Sequence, residues 1–191
     1  MIFELIKTAS SFIQGYESEK SKLFNLHIEP LKQKIDEIHK DYIKSFLDIR
    51  TSLTNKEVPI SEMLDFLENR RHDLSAQRDL IKQLAQELLD ADRRIVTSGT
   101  WESFECFCQA VVNYFNAGNS IANASWYSDF IRFMKVSRMA ESESTFFDRN
   151  VFGNNPRLDT INAINSIIDS RLPTAMAQIN KYYAELRVSL L

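Results

Sequence analysis

The stretch FNLHIEPLKQKIDEIHKDYIKSFLDIRTSL, residues 24–53, carries its apolar side chains in one stripe: Phe24, Ile28, Leu31, Ile35, Ile38, Tyr42, Phe46, Ile49 and Leu53. The steps are threes and fours, the spacing that stacks side chains on one face of an α-helix. Two consecutive fours meet at Tyr42 and break a strict seven; the step from Tyr42 to Phe46 moves the repeat toward about 3.67 residues per turn, which suits a nearly straight helix in a bundle. Pro30 falls inside the stripe, where a proline either starts a helix or kinks it. The stripe keeps its phase across Pro30, so a kinked continuous helix is expected.

Toward the C-terminus, Thr51 to Pro59 reads as a turn. Pro59 suits a first helical position, with Glu57, Glu62 and Asp65 near the positive end of the helix dipole. In the helix that follows, Leu67, Leu74, Ile81, Leu88 and Ile95 recur at seven, like the d positions of a coiled coil. The matching a positions are Leu64, Arg71, Arg78, Ala85 and Asp92, so two arginines stand on the seam. Folding this helix back at residues 54–59 sets Arg78 opposite Asp36 and Glu37, and Arg71 near Asp41 and Lys44. A lone buried guanidinium is costly. Each arginine is therefore expected to lay its stem on Leu67, Leu74 and Ile81 and reach a carboxylate at the edge. If both point away instead, the seam is a surface for another protein or a second copy, which makes Arg71 and Arg78 candidate partner-binding residues.

Upstream, Ile2, Leu5, Ile6, Ala9, Phe12 and Ile13 mark a short amphipathic helix ended by Gly15. Downstream, Thr97-Ser98-Gly99 opens a helix with Trp101, Phe104, Phe107, Cys108, Val111, Val112 and Phe115. These are apolar on more than one side, so this helix should be the most buried, with Gly118 as its stop. A fifth helix runs from about Ile121 to Met139, with Trp126, Phe130, Phe133 and Met134 inward. Residues 141–155 read as a loop. The last helix opens at Asn155-Pro156 and keeps Ile161, Ile164, Ile168, Leu172, Met176, Ile179, Tyr183 and Leu186 in phase through Pro173, so it too is expected to kink and continue.

Composition agrees with long helices. The 191 residues hold only 4 Gly and 4 Pro, whereas sheets need frequent tight turns built from them. Residues 1–98 carry 15 basic and 17 acidic side chains against 8 and 9 in residues 99–191. The expectation is one all-α domain. Residues 16–96 form an elongated, charged, antiparallel helical hairpin, and residues 99–191 a more compact, aromatic-rich set of helices.

The net charge of −3 gives no electrostatic footprint for nucleic acid. No apolar run reaches the roughly 18–20 residues of a membrane span. The start Met1-Ile2-Phe3-Glu4 lacks a basic leader, so it is not read as a secretory signal. Cys106 and Cys108 are one residue apart and point to different sides of a helix, so they neither pair nor share a metal. A cytoplasmic protein with reduced thiols is expected.

Candidate chemistry is sparse. A di-iron bundle needs carboxylates and two Glu-x-x-His pairs; Asp36 with His39 supplies one Asp-x-x-His, and His39 is expected on a solvated face. Helical ribonucleases of the HEPN class use an Arg that positions phosphate and, a short spacing later, a His that acts on the ribose hydroxyl. Arg50-x-x-x-x-Asn55 and Arg149-x-x-x-x-Asn154 have such a spacing with Asn in place of His. Asn cannot act as a base, so a helix-end Arg beside a turn Asn accounts for the first pair better. His27, His39 and His72 all lie far in sequence from the cysteines, and no glycine-rich phosphate loop exists. Arg132, Lys135 and Arg138 repeat at three as a basic stripe beside Tyr127 and Phe133, able to meet phosphate, acidic headgroups or an acidic partner.

The sequence thus supports a non-enzymatic helical interaction or scaffold protein, with Arg71, Arg78, Arg132, Lys135 and Arg138 as candidate partner contacts. No metal, cofactor or nucleic acid is expected. The alternative is a helical RNA-acting enzyme with a degenerate Arg-x-x-x-x-Asn motif. Far-ultraviolet circular dichroism should report about 70–80% helix and no sheet; a sheet signal of several strands would overturn the stripe assignments.

Overall fold

In the computed structural model, neither Pro30 nor Pro173 ends its helix. A π turn, Phe24–Ile28, leads directly into α1, Glu29–Asn55. Later in the chain a second π turn, Ile167–Arg171, joins α6, Pro156–Ser166, to α7, Leu172–Leu190. Each proline thus sits two residues past a π turn. A proline in a regular helix loses one hydrogen bond and drives its ring into the carbonyl four residues back. The wider turn, in which the Leu172 N–H reaches the Ile167 carbonyl, moves that carbonyl aside, so the helical path and its apolar stripe carry on.

The structure describes residues 24–55, 60–89, 98–117, 125–133 and 156–191. The expected first helix, residues 56–59 of the expected turn, the ends at Asp92 and Ile95, and the loop 141–155 lie outside them, while residues 51–55, expected in that turn, are the last residues of α1. All regular structure among the described residues is helical, and none of it is strand. None of these helices is long and apolar enough to cross a membrane.

The expected third helix is two: α2, Ile60–Asp73, and α3, Ser75–Leu89, divided at Leu74. The break leaves carbonyls at the end of α2 without helical donors. Ser75 Oγ donates to the His72 carbonyl at 2.8 Å, and the Arg78 guanidinium donates to the Arg71 carbonyl. The sevenfold leucine series runs across this bend. Leu67, Ile81 and Leu88 are buried, while Leu74 at the break is only partly so.

α4, Ser98–Phe115, is the central helix, packed on α3 on one side and α7 on the other. Its buried residues include the consecutive run Ala110, Val111 and Val112, so it is covered on several sides, as its sequence implied. It ends through Ala117, which takes φ 54°, a left-handed conformation costly for a residue with a Cβ. The Ala117 N–H bonds the Tyr114 carbonyl at 3.1 Å, and the Ala117 carbonyl accepts from Arg171 at 3.2 Å. The turn is thus fixed by a partner from the second π turn. The short helix α5, residues 126–133, follows.

α1 finds its long neighbour in the C-terminal helices. Arg50 near its end donates to Asn165 in α6, and Glu29 at its start accepts from Tyr183 in α7. The two runs are therefore antiparallel. One hydrophobic core connects all of these helices. Trp101, Phe104, Val111, Phe130, Ile164, Ile168 and Ile179, the apolar residues expected to share the interior, are all buried in it. Phe104→Ala and Ile168→Ala should each lower stability by about 2–5 kcal/mol in urea unfolding; variants that unfold together with the wild type would contradict this packing.

Candidate functional site

Asp41 and Ser45 lie one turn apart on α1, flanking the buried Tyr42 and Phe46. Two other elements converge on them. Tyr127 of α5 places its hydroxyl 3.0 Å from Asp41 Oδ2 and 2.9 Å from Ser45 Oγ. Arg70 of α2 donates through Nη2 to Asp41 Oδ1 and through Nε to Ser45 Oγ at 3.4 Å. A phenol has one proton to give. The consistent assignment is a ring in which Arg70 donates to Ser45, Ser45 to Tyr127, Tyr127 to Asp41, and Arg70 again to Asp41. Burial and the neighbouring Asp41 charge push the Tyr127 phenol well above its ordinary pKa, so it remains a donor.

Arg78 lies beside this ring. Its guanidinium stands 5.9 Å from the Tyr42 ring centre and 5.7 Å from that of Tyr127, within the range of cation–π attraction. The residue is only 5% exposed. The expected pairing with Asp36 or Glu37 does not form, because Lys32 holds Asp36 at 2.7 Å and Lys34 holds Glu37 at 2.6 Å. Nor does Arg71 take Asp41; the neighbouring Arg70 does. The sevenfold pattern named the seam, but the bend at Leu74 turns Arg78 into the interior and Arg71 toward His72, 3.4 Å away.

Above Arg78 a recess of about 370 Å³ opens between α3 and the start of α5. Arg71 lines it from the end of α2, and Ser75, Arg78 and Lys82 line it from α3 at spacings of three and four, one face of that helix. Ser125 and Ser128 line it from α5, and Asp79 is its one carboxylate among the described residues. The Ser128 N–H donates to Ser125 Oγ at 3.1 Å, which makes Ser125 the N-cap of α5. Of the other candidate contacts, Arg132 is exposed on α5 and paired with Asp129 at 3.0 Å, a carboxylate that also holds Arg171 at 3.0 Å. Lys135 and Arg138 lie outside the described residues. Ser125 and Ser128 carry no signal in sequence; only the tertiary approach of α5 to α3 brings them to the arginines.

The remaining motifs lie elsewhere. Arg50 bonds Asn165 at 3.2 Å, and Asn55 is exposed at the end of α1. Arg149 and Asn154 lie outside the described residues. Among the described residues no group of three or more His, Cys, Asp or Glu is placed to hold a metal. Burial raises the Cys108 thiol far above its ordinary pKa and keeps it protonated. His39 is not on a solvated face: its Nδ1 is 3.0 Å from the Tyr114 hydroxyl, because α4 packs along that flank of α1. No known protein family matches the chain, and no curated protein or solved structure matches it.

His27 and His39 both have pKa values below the ordinary 6.5, chiefly because burial disfavours the charged ring; at His39, Asp36 opposes the shift and Lys32 adds to it. The unfolded chain therefore binds more protons than the folded one just below 6.5. Their contribution is fully present above that value and is lost as the pH falls through the folded-state pKa values. Melting temperatures should drop between about pH 7 and about pH 5, and His27→Gln with His39→Gln should flatten that slope. An unchanged slope would show that the two rings are not held neutral.

Proposed function

We propose that this chain is a non-enzymatic helical interaction protein of the cytoplasm, an inhibitor, adaptor or complex subunit, that receives an acidic feature of another protein or of a second copy in the basic recess. The observation that carries this reading is convergence: Arg71, Arg78 and Lys82 line one recess together with His72. The whole chain has a net charge of −3, so this recess contrasts with its surroundings. A local positive field of that kind selects and steers acidic partners. In this proposal the recess is presented where the end of α2 and the face of α3 meet the start of α5. Arg132, exposed on α5 near its rim, and the basic residues Lys135 and Arg138 that follow it in sequence add a second set of candidate contacts.

The test is charge reversal at the two less buried cations. Arg71→Glu with Lys82→Glu should leave the melting temperature nearly unchanged, since neither side chain is core. It should abolish capture of the partner, or the dimer, in co-purification with mass spectrometry and in light scattering. Capture that survives both substitutions, at low and high salt alike, would overturn the recess as the contact site.

A further inference from the structure

We infer that the recess is a site for a phosphate monoester, an inference that rests on reading the recess as the binding site and names the chemistry it takes. The floor is the first argument. Arg78 carries a guanidinium cation, and its residue is more than nine-tenths buried. Two tyrosine rings and the Arg71 carbonyl hold it, but Nη1 has no hydrogen-bond partner and no carboxylate pairs with the guanidinium among the described residues. Asp41, the nearby acid that could have neutralised it, is already held by Arg70. A buried charge without a counter-charge is costly. An anion seated in the recess lined by this side chain supplies the missing charge.

The walls are the second argument, and they specify the kind of anion. Lys82 lies one helical turn beyond Arg78 on α3 and Ser75 one turn before it, while Arg71 reaches the recess from the end of α2. Opposite stands the start of α5, where Ser125 and Ser128 line the recess with hydroxyls 2.9 Å apart. Ser125 serves the Ser128 N–H, while the earliest N–H groups of a helix have no acceptor within it and carry the positive end of its dipole. Three cations, offset by the single carboxylate of Asp79, line the space together with hydroxyl donors and a helix start. A carboxylate offers two oxygens in one plane and a single charge. A phosphate monoester offers three oxygens and about two negative charges near neutral pH, which matches both the charge and the spread of donors. About 370 Å³ holds the phosphate together with the group that bears it.

Isothermal titration and ³¹P NMR on the full chain, at constant ionic strength, test this with inorganic phosphate, phosphoserine, sulfate and acetate. Saturable binding of phosphate or phosphoserine is expected, with acetate at least about tenfold weaker. Tighter binding of phosphoserine would assign the site to a phosphorylated side chain, and tighter binding of inorganic phosphate to a free ligand. Lys82→Met and Ser128→Ala, which leave the tyrosine-held arginine in place, should each weaken binding by about tenfold. Arg78→Lys keeps the charge but loses the planar fork and should weaken it further, with circular dichroism reporting that the fold is retained. No saturable phosphate binding by the wild type, or equal binding by Lys82→Met and Ser128→Ala, overturns the proposal. If phosphate fails while Arg71→Glu with Lys82→Glu still abolishes partner capture, only this inference falls and the acidic-partner reading stands.

Discussion

A guanidinium set against a pair of adjacent tyrosine rings is the constraint around which these helices are arranged. Arg78 comes from α3, Tyr42 from α1 and Tyr127 from α5, and the carbonyl it caps belongs to α2. Four elements therefore meet at one cation. A charge taken this far from water is tolerable only where every near neighbour helps it. That requirement fixes the bend at Leu74, which frees the Arg71 carbonyl. It also fixes the approach of α5, which brings the second ring.

The polar ring beside it works by the same logic. Asp41 and Ser45 would be poor choices next to a buried stripe if left alone. Arg70 and Tyr127 complete them, so that four side chains from three helices satisfy one another. Arg171 repeats the device at the other side of α5. It lies 5.1 Å from the Trp126 ring centre, bonds Asp129 and holds the Ala117 carbonyl at the end of α4. Arginine suits these positions because its planar fork can stack on a ring and still direct several donors outward. The first turn of α5 is thus held by arginines from two other elements.

The helices themselves were legible because apolar spacing is a local property. The stripes from Phe24 to Leu53 and from Ile161 to Leu186 gave two long helical runs, and their unbroken phase across Pro30 and Pro173 correctly implied that neither proline stops the chain. The π turns that make this possible leave no mark on a three–four pattern, since a single wider turn shifts the phase by less than the width of the stripe. The aromatic helix around Phe104 was legible for a related reason: apolar residues on several sides leave no face for water.

Sequence by itself determined the all-helical class, the buried faces of the long described helices and the unusual presence of arginines on a leucine seam. Tertiary structure alone decided what those arginines do. A sevenfold repeat assumes a straight helix, and the bend at Leu74 breaks that assumption, so Arg70 rather than Arg71 meets Asp41 and Arg78 turns inward instead of reaching Asp36 or Glu37. The long antiparallel neighbour of α1 likewise proved to be the C-terminal run, more than a hundred residues away from it. Spacing within a helix says which side chains share a face, because 3.6 residues make a turn everywhere. Which face meets which depends on contacts between distant segments, and the serines and arginines of the recess come together only there.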